Sequence, residues 1–165
     1  MIRITLWLVL GLWMASACAI ETGTTAPPLT ATLADGSAFD LAAHRGDVVV
    51  IDFWACWCAP CLQELSALKT LHEKYRGKGL TILAINTDDA EDLAKAQKIA
   101  ADLPFAKALA KDVRAEGYGR IWRLPITFIV DRKGILREDG GSGPRHTWDL
   151  PALEKSVGPL LAEPR

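Results

Sequence analysis

The chain has 165 residues, half of them hydrophobic, and its 19 basic and 20 acidic side chains leave a net charge of −1. A balance this close to neutral, with no dense Lys/Arg run, gives no footing for nucleic acid. The length fits one domain with a real core. The four cysteines, Cys18, Cys56, Cys58 and Cys61, are too few and too crowded for a disulfide framework, which would spread them to close large loops.

Residues 1–20 stand apart from the rest. Arg3 is the only charge before an uncharged run from Ile4 to Ile20, and small residues gather in Ala15-Ser16-Ala17-Cys18-Ala19. The pattern predicts a secretory signal, with Ala15-x-Ala17 and Ala17-x-Ala19 as cleavage signatures. Two other fates compete. Cys18 follows a small pair that resembles a lipoprotein box and is a lipidation candidate, although Ala15 stands where leucine is usual. Left uncut, the run is a membrane anchor at the short edge of what spans a bilayer. All three fates put the domain in the periplasm, where disulfides persist and must be managed.

Glu21–Pro28, rich in Thr, Gly and Pro, reads as a linker, and residues 29–162 as the folded domain. Leu29–Leu33, a turn at Asp35-Gly36 and Ala38–Leu41 predict a hairpin. The apolar run Val48–Trp54 predicts a buried strand, and Cys58–Tyr75 a helix with Leu62, Leu65, Leu68, Leu71 and Tyr75 at helical spacing. After Gly77 and Gly79 comes a second buried strand, Leu80–Ile85. Asp88 or Asp89 is expected to cap a helix with Leu93, Ala96, Ile99, Ala100 and Leu103 on its apolar face, ended by Pro104. A short helix is expected over 112–117. Ile126–Val130 and Ile135–Arg137 predict a hairpin across Asp131–Gly134. Asp149 opens a last helix with Leu150, Leu153, Val157 and Leu160 inward, frayed by Gly158 and Pro159. The order β-α-β-α-β-β-α predicts an α/β domain with parallel strands first, an antiparallel pair last, and helices on both faces.

Cys58-Ala59-Pro60-Cys61 lies where a strand ends and a helix begins. There the unpaired N–H groups and positive dipole end of the helix favour a thiolate over a thiol. The second cysteine, one turn on, is placed to attack a mixed disulfide formed by the first, which is the apparatus of thiol–disulfide exchange. A purely structural disulfide is the plainer alternative, but a loop this short adds little stability. Half of a zinc site is another. A Cu(I) module holding Cys56, Cys58 and Cys61 is a third, since soft thiolates suit that ion. Pro60 inside the motif argues against metal. His44, His72 and His146 are scattered, and none has metal-ligand spacing to another.

Phe53-Trp54-Ala55-Cys56-Trp57-Cys58-Ala59-Pro60-Cys61, with Leu124-Pro125-Ile126-Thr127-Phe128 ahead of Asp131-x-x-Gly134, resembles the thioredoxin fold. Within it the chain is most similar to the exported TlpA-like, ResA-like thiol–disulfide oxidoreductases. The resemblance covers about residues 26–162 and implies a central mixed sheet flanked by helices, with the Asp35-Gly36 hairpin as an amino-terminal extension. It implies a redox-active disulfide between Cys58, the nucleophile, and Cys61, the resolving thiol. It places Asp52 where thioredoxins keep a buried acid beneath the second cysteine, as the general base that deprotonates Cys61. Pro125 stands at the superfamily's cis-proline, and Leu124 before it is expected to pair with an extended substrate, beside Trp57 and Pro60. Trp122-Arg123 departs from relatives, which often carry a small residue there. Cys56 holds a position usually filled by Thr, Ser or Glu; it reads as a small buried side chain, with a third redox thiol as the sharper alternative.

The implied activity is reduction of disulfides in other exported proteins, with cytochrome c maturation the commonest role in the family. The expected partners are cysteine-containing exported proteins and a membrane-bound electron donor. No cofactor is called for.

Overall fold

Strand β3 (Val48–Trp54) is buried along its whole length and organises the domain. The computed structural model describes residues 20–142 and 148–164. Before β3 come β1 (Thr30–Leu33), β2 (Ala38–Asp40) and a 3₁₀ turn over Leu41–His44. After it come α1 (Ala59–Lys74), β4 (Leu80–Asn86), α2 (Leu93–Ala101), β5 (Ala106–Arg114), β6 (Ile126–Val130), β7 (Leu136–Asp139) and α3 (Leu150–Ala162). The strands form one seven-stranded sheet in the order β2-β1-β5-β4-β3-β6-β7. β3 runs parallel to β4, and β4 to β5, while the remaining pairs are antiparallel.

This is the α/β thioredoxin-like fold, with the hairpin β1–β2 continuing the sheet beyond β5. Two expectations give way. The segment 112–117 does not form a helix: its first half ends β5, a strand the sequence reading passed over. Nor, among the described residues, do helices cover both faces. Alternate residues of a strand point to opposite faces, and Val48, Val50 and Trp54 share one apolar cluster with Leu65 and Leu68 of α1, Ala96 of α2 and Leu153 and Val157 of α3. Two crossovers of the usual right hand, made in the same direction from β3 to β4 to β5, set α1 and α2 on the same side. Val49, Ile51 and Phe53 face the other way, into a cluster closed by Leu29, Phe39, Leu41 and Tyr118 from loops and the hairpin.

Helix α1 also differs from its expected stripe. Its buried positions are Cys61, Glu64, Leu65, Leu68 and Leu71, and Leu62 is exposed. Helix α3 is capped by Asp149, whose side chain accepts from the Ala152 N–H at 2.9 Å. It runs on through Gly158-Pro159 because Pro159 and Lys155, whose carbonyl loses its donor, both face solvent.

The segment expected as a linker lies along β7. Gly23 N–H donates to Leu136 O, Leu136 N–H to Thr24 O, and Ala26 N–H to Gly134 O. Ala26 and Leu29 are buried. The expected leader, with Cys18, lies outside the described residues, as does His146. No described helix is long and apolar enough to cross a membrane.

Candidate active site

Cys58 is the N-cap residue of α1. Its backbone is extended, and its Sγ accepts the N–H of Cys61, the third residue in, at 3.3 Å. A sulfur thus occupies the place that Ser, Asp or Asn usually takes at a helix start. Pro60, in the first turn, has no N–H to lose there. The Cys58 backbone closes a turn to Ala55 O at 3.1 Å. Cys58 and Cys61 are joined by a disulfide with Cα atoms 5.3 Å apart. Cys61 is fully buried, whereas Cys58 keeps 6% of its surface. Among described residues, the helix end that favours a thiolate is aimed at the more accessible sulfur of the pair.

Beneath the motif lies a polar group that the sequence reading found only in part. Asp52 and Thr127 are paired in register across β3 and β6, so both side chains point to the helix face. Glu64 comes down from α1 between Cys61 and Leu68, and Thr127 Oγ1 donates to Glu64 Oε1. Asp52 and Glu64 are fully buried. Both oxygens of Asp52, and Oε2 of Glu64, have no hydrogen-bond partner among the described residues. Burial raises the pKa of Asp52 far above the carboxylate range, to about 8. Burial raises Glu64 as well, and the neighbouring Asp52 carboxyl pushes it further. Asp52 was singled out from sequence and Glu64 was not. The signal was present: position 64 falls inside the stripe 61, 65, 68, 71, where an apolar residue belongs.

Asp88 does not cap α2. Its Oδ2 accepts from the Cys56 N–H at 2.7 Å and from Asn86 Nδ2 at 2.6 Å, tying the loop before the dithiol to the end of β4. The N-cap of α2 is Asp92, with no side-chain cap bond. Cys56 is a free thiol, 2% exposed, packed in the helix-side cluster. Burial and then Asp88 raise its pKa, so it stays a thiol. The donor atoms of Cys56, Asp88 and Asp92 lie within 4.8 Å of one another. Two of these are hard carboxylates, which suit Cu(I) poorly.

The Leu124–Pro125 peptide is cis, as the resemblance implies. Pro125 is buried, Leu124 is half-buried, and the β3–β6 ladder ends at Phe53–Ile126, so Leu124 lies beyond it. Trp54 packs in the core while Trp57 stands in solvent. Trp57, Leu124, Phe53, Ile121 and Trp122, with Thr87, Ala110 and Arg123, line one open groove of about 420 Å³. Trp122 was noted from sequence as a departure but not as a site residue.

Fold and site together define a thioredoxin-fold thiol–disulfide oxidoreductase. Residues 22–139 match the model of the AhpC/TSA family, and the chain belongs to that family. It is 33% identical over 124 residues to the thiol-disulfide oxidoreductase ResA of Bacillus thuringiensis subsp. konkukian, covering 74% of this chain and 71% of the relative. Among solved structures it is similar to the thioredoxin domain of a thiol-disulfide oxidoreductase from Bacteroides vulgatus. That match has 26% identity and TM-score 0.64, covering 83% of this chain and 98% of the other. A thioredoxin family thiol:disulfide interchange protein of Chlorobium tepidum shares the fold at 23% identity and TM-score 0.69, covering 87% and 100%.

Proposed function

We propose that the protein reduces disulfides of exported proteins through Cys58 and Cys61. The observation that carries this is the Cys61 N–H directed at the sulfur of Cys58 at the start of α1. In the reduced enzyme the Cys58 thiolate attacks one sulfur of a substrate disulfide; a mixed disulfide forms and the other substrate sulfur leaves as a thiolate, taking a proton from solvent. Cys61 then loses its proton and attacks Cys58 Sγ, and the second substrate sulfur departs. The substrate gains two electrons and two protons, and the enzyme is left as the Cys58–Cys61 disulfide.

The buried carboxyl pair is the proton acceptor for Cys61. Asp52 and Glu64 hold protons well into the range where a thiol titrates, so the pair in its singly ionised form matches the acidity of the thiol it serves. Running backwards, the same pair returns a proton to Cys61 as the enzyme is re-reduced. Re-reduction needs an external dithiol, for which a membrane-bound donor is the fitting source. The uncharged amino-terminal run behind Arg3 supports export to the periplasm. Reduction of the C-x-x-C-H cysteines that attach haem to cytochrome c is the role the resemblance favours.

The test is a trap. A Cys61→Ala variant expressed with its native amino terminus halts at the mixed disulfide, and the captured proteins are identified by mass. Exported proteins held through Cys58 support the reading; no mixed disulfide, with unimpaired insulin reduction by Cys58→Ser, overturns it.

A further inference from the structure

Cys56, Asp88 and Asp92 form a cluster that the dithiol chemistry does not use. They come from three stretches of chain: Cys56 just after β3, Asp88 just after β4, and Asp92 at the start of α2. One sulfur and two carboxylate oxygens there lie within 4.8 Å of one another. Two carboxylates this close repel, yet neither is in an ion pair among the described residues. Lys95, the one cation felt at Cys56, counts for less there than Asp88. Asp92 holds the N-cap position of α2 but forgoes the cap bond that an Asp there usually makes. Asp88 divides its two oxygens. Oδ2 accepts from the Cys56 N–H and Asn86 Nδ2, both neutral donors. Oδ1 is sealed from solvent and has no hydrogen-bond partner among the described residues. A buried acceptor left without a donor is costly, and a cation beside it removes that cost.

We infer that Cys56, Asp88 and Asp92 are a binding site for a divalent cation of the zinc type, held by one thiolate and two carboxylates. The inference stands whether or not Cys58 and Cys61 act as proposed above. The donor set decides the class of ion. Cu(I) favours sulfur alone, and Ca²⁺ and Mg²⁺ favour oxygen alone, whereas Zn²⁺ takes both. Its bonds run to about 2.3 Å for sulfur and about 2.0–2.2 Å for oxygen, so the three donors close in by about 1 Å on binding. The two aspartates reach this by turning about their side-chain bonds. Three protein ligands leave the fourth tetrahedral position for water, and a cavity of about 290 Å³ bordering Asp88 and Asp89 supplies the room. Binding forms a metal–sulfur bond in exchange for the S–H bond of Cys56, whose proton goes to solvent, and nothing is oxidised or reduced.

The experiment uses the full chain in its disulfide form, with Cys18→Ser, so that Cys58 and Cys61 are tied up. Alkylation and mass confirm Cys56 as the one free thiol. Co²⁺ alone is the probe, because its thiolate complexes absorb in the near ultraviolet and its visible bands report tetrahedral geometry. The expected result is a thiolate-to-cobalt band that saturates at one ion per chain, with release of about one proton. Zn²⁺ displaces the cobalt, and a large excess of Mg²⁺ does not. Cys56→Ser abolishes the thiolate band. Asp92 is exposed and makes no cap bond, so Asp92→Asn leaves the fold intact. It weakens cobalt binding by more than about tenfold, the least that loss of an outer partner costs a metal site. If Cys56→Ser fails to fold, Asp92→Asn decides alone. The absence of a thiolate band in the disulfide form, a band that survives Cys56→Ser, or unchanged affinity in Asp92→Asn overturns the inference. Displacement of the cobalt by Mg²⁺ overturns it too, since the site is then one of oxygens only. The dithiol reading is untouched by each of these results.

Discussion

The two faces of the sheet carry different loads. On the face away from the helices, Val49, Ile51 and Phe53 of β3 meet Phe128 and Val130 of β6 in a wholly apolar cluster. The Tyr118 and Phe128 rings meet edge to face with centroids 4.9 Å apart, and Phe53 adds a second such contact to Phe128 at 6.2 Å. On the helix face the same strands bury Asp52 and Thr127, while α1 adds Glu64 and the dithiol. Buried carboxyls without full partners cost stability. The chain confines that cost to the side where α1 holds the cysteines, and the opposite face offsets it. One face stabilises and the other reacts.

Breaking each face in turn tests this division. Replacing Cys58 with Ser is expected to lower the rate of insulin reduction by more than about a thousandfold, since the nucleophile is lost outright. Its thermal unfolding should stay close to that of the reduced wild type. Replacing Phe128, which is fully buried, with Ala should do the reverse. Unfolding in urea should show a loss of about 3–5 kcal/mol, while the iodoacetamide labelling rate of Cys58 in the folded fraction changes little. A Phe128→Ala protein that is stable but slow to label would mean that the two faces are not separable.

The carboxyl pair sharpens the comparison, because it links reactivity to stability through one set of protons. In the unfolded chain both acids ionise near pH 4. In the fold burial holds the protons on, so the native state binds more of them at neutral pH. The pair's contribution to stability is therefore complete below about pH 4 and is lost as pH rises through the raised folded values. Against the disulfide form of wild type, an Asp52→Asn, Glu64→Gln double variant should gain about 1–3 kcal/mol between pH 5 and pH 9 in urea unfolding. Parallel curves for the two proteins would refute the shifted acidity. Kinetically, each single variant should slow resolution of the mixed disulfide by about a hundredfold. Labelling of Cys58, which does not use these acids, should be unaffected.

How far the sequence revealed this arrangement depended on where each signal lived. β3, α1 and β6 were legible because their own residues are decisive: an unbroken apolar run, a helical stripe opened by Cys58, and a Pro-led β-branched segment. β5 was not, because Ala106-Lys107-Ala108-Leu109-Ala110-Lys111 has weak strand propensity and is held by partners on both sides, β4 and β1. Missing that strand also hid the single-sided helix layer, since the second parallel crossover runs from β4 into β5. Glu64 was readable as a polar residue in an apolar stripe. Its pairing with Thr127 and closeness to Asp52 were not, because they join residues more than ten positions apart.

Asp88 shows the same limit on a smaller scale and yields the smallest effect expected here. A carboxylate shortly before a helix reads as a cap from sequence, because capping is the commonest local use for one. The fold instead turns it back across 32 residues to the Cys56 N–H. The two roles predict different amides to loosen when Asp88 is replaced by Ala. A cap would release the first turn of α2. The observed bonds release the Cys56 amide and the side chain of Asn86, at a cost of about 1–2 kcal/mol for a lost charge-assisted pair. Hydrogen exchange separates them: faster exchange at Cys56 with the Leu93–Ala101 amides unchanged supports the tether, and the opposite pattern refutes it. Because Cys58 keeps its own bond to the Cys61 N–H when that tether is cut, its labelling rate should move by less than about threefold, a change of under 1 kcal/mol.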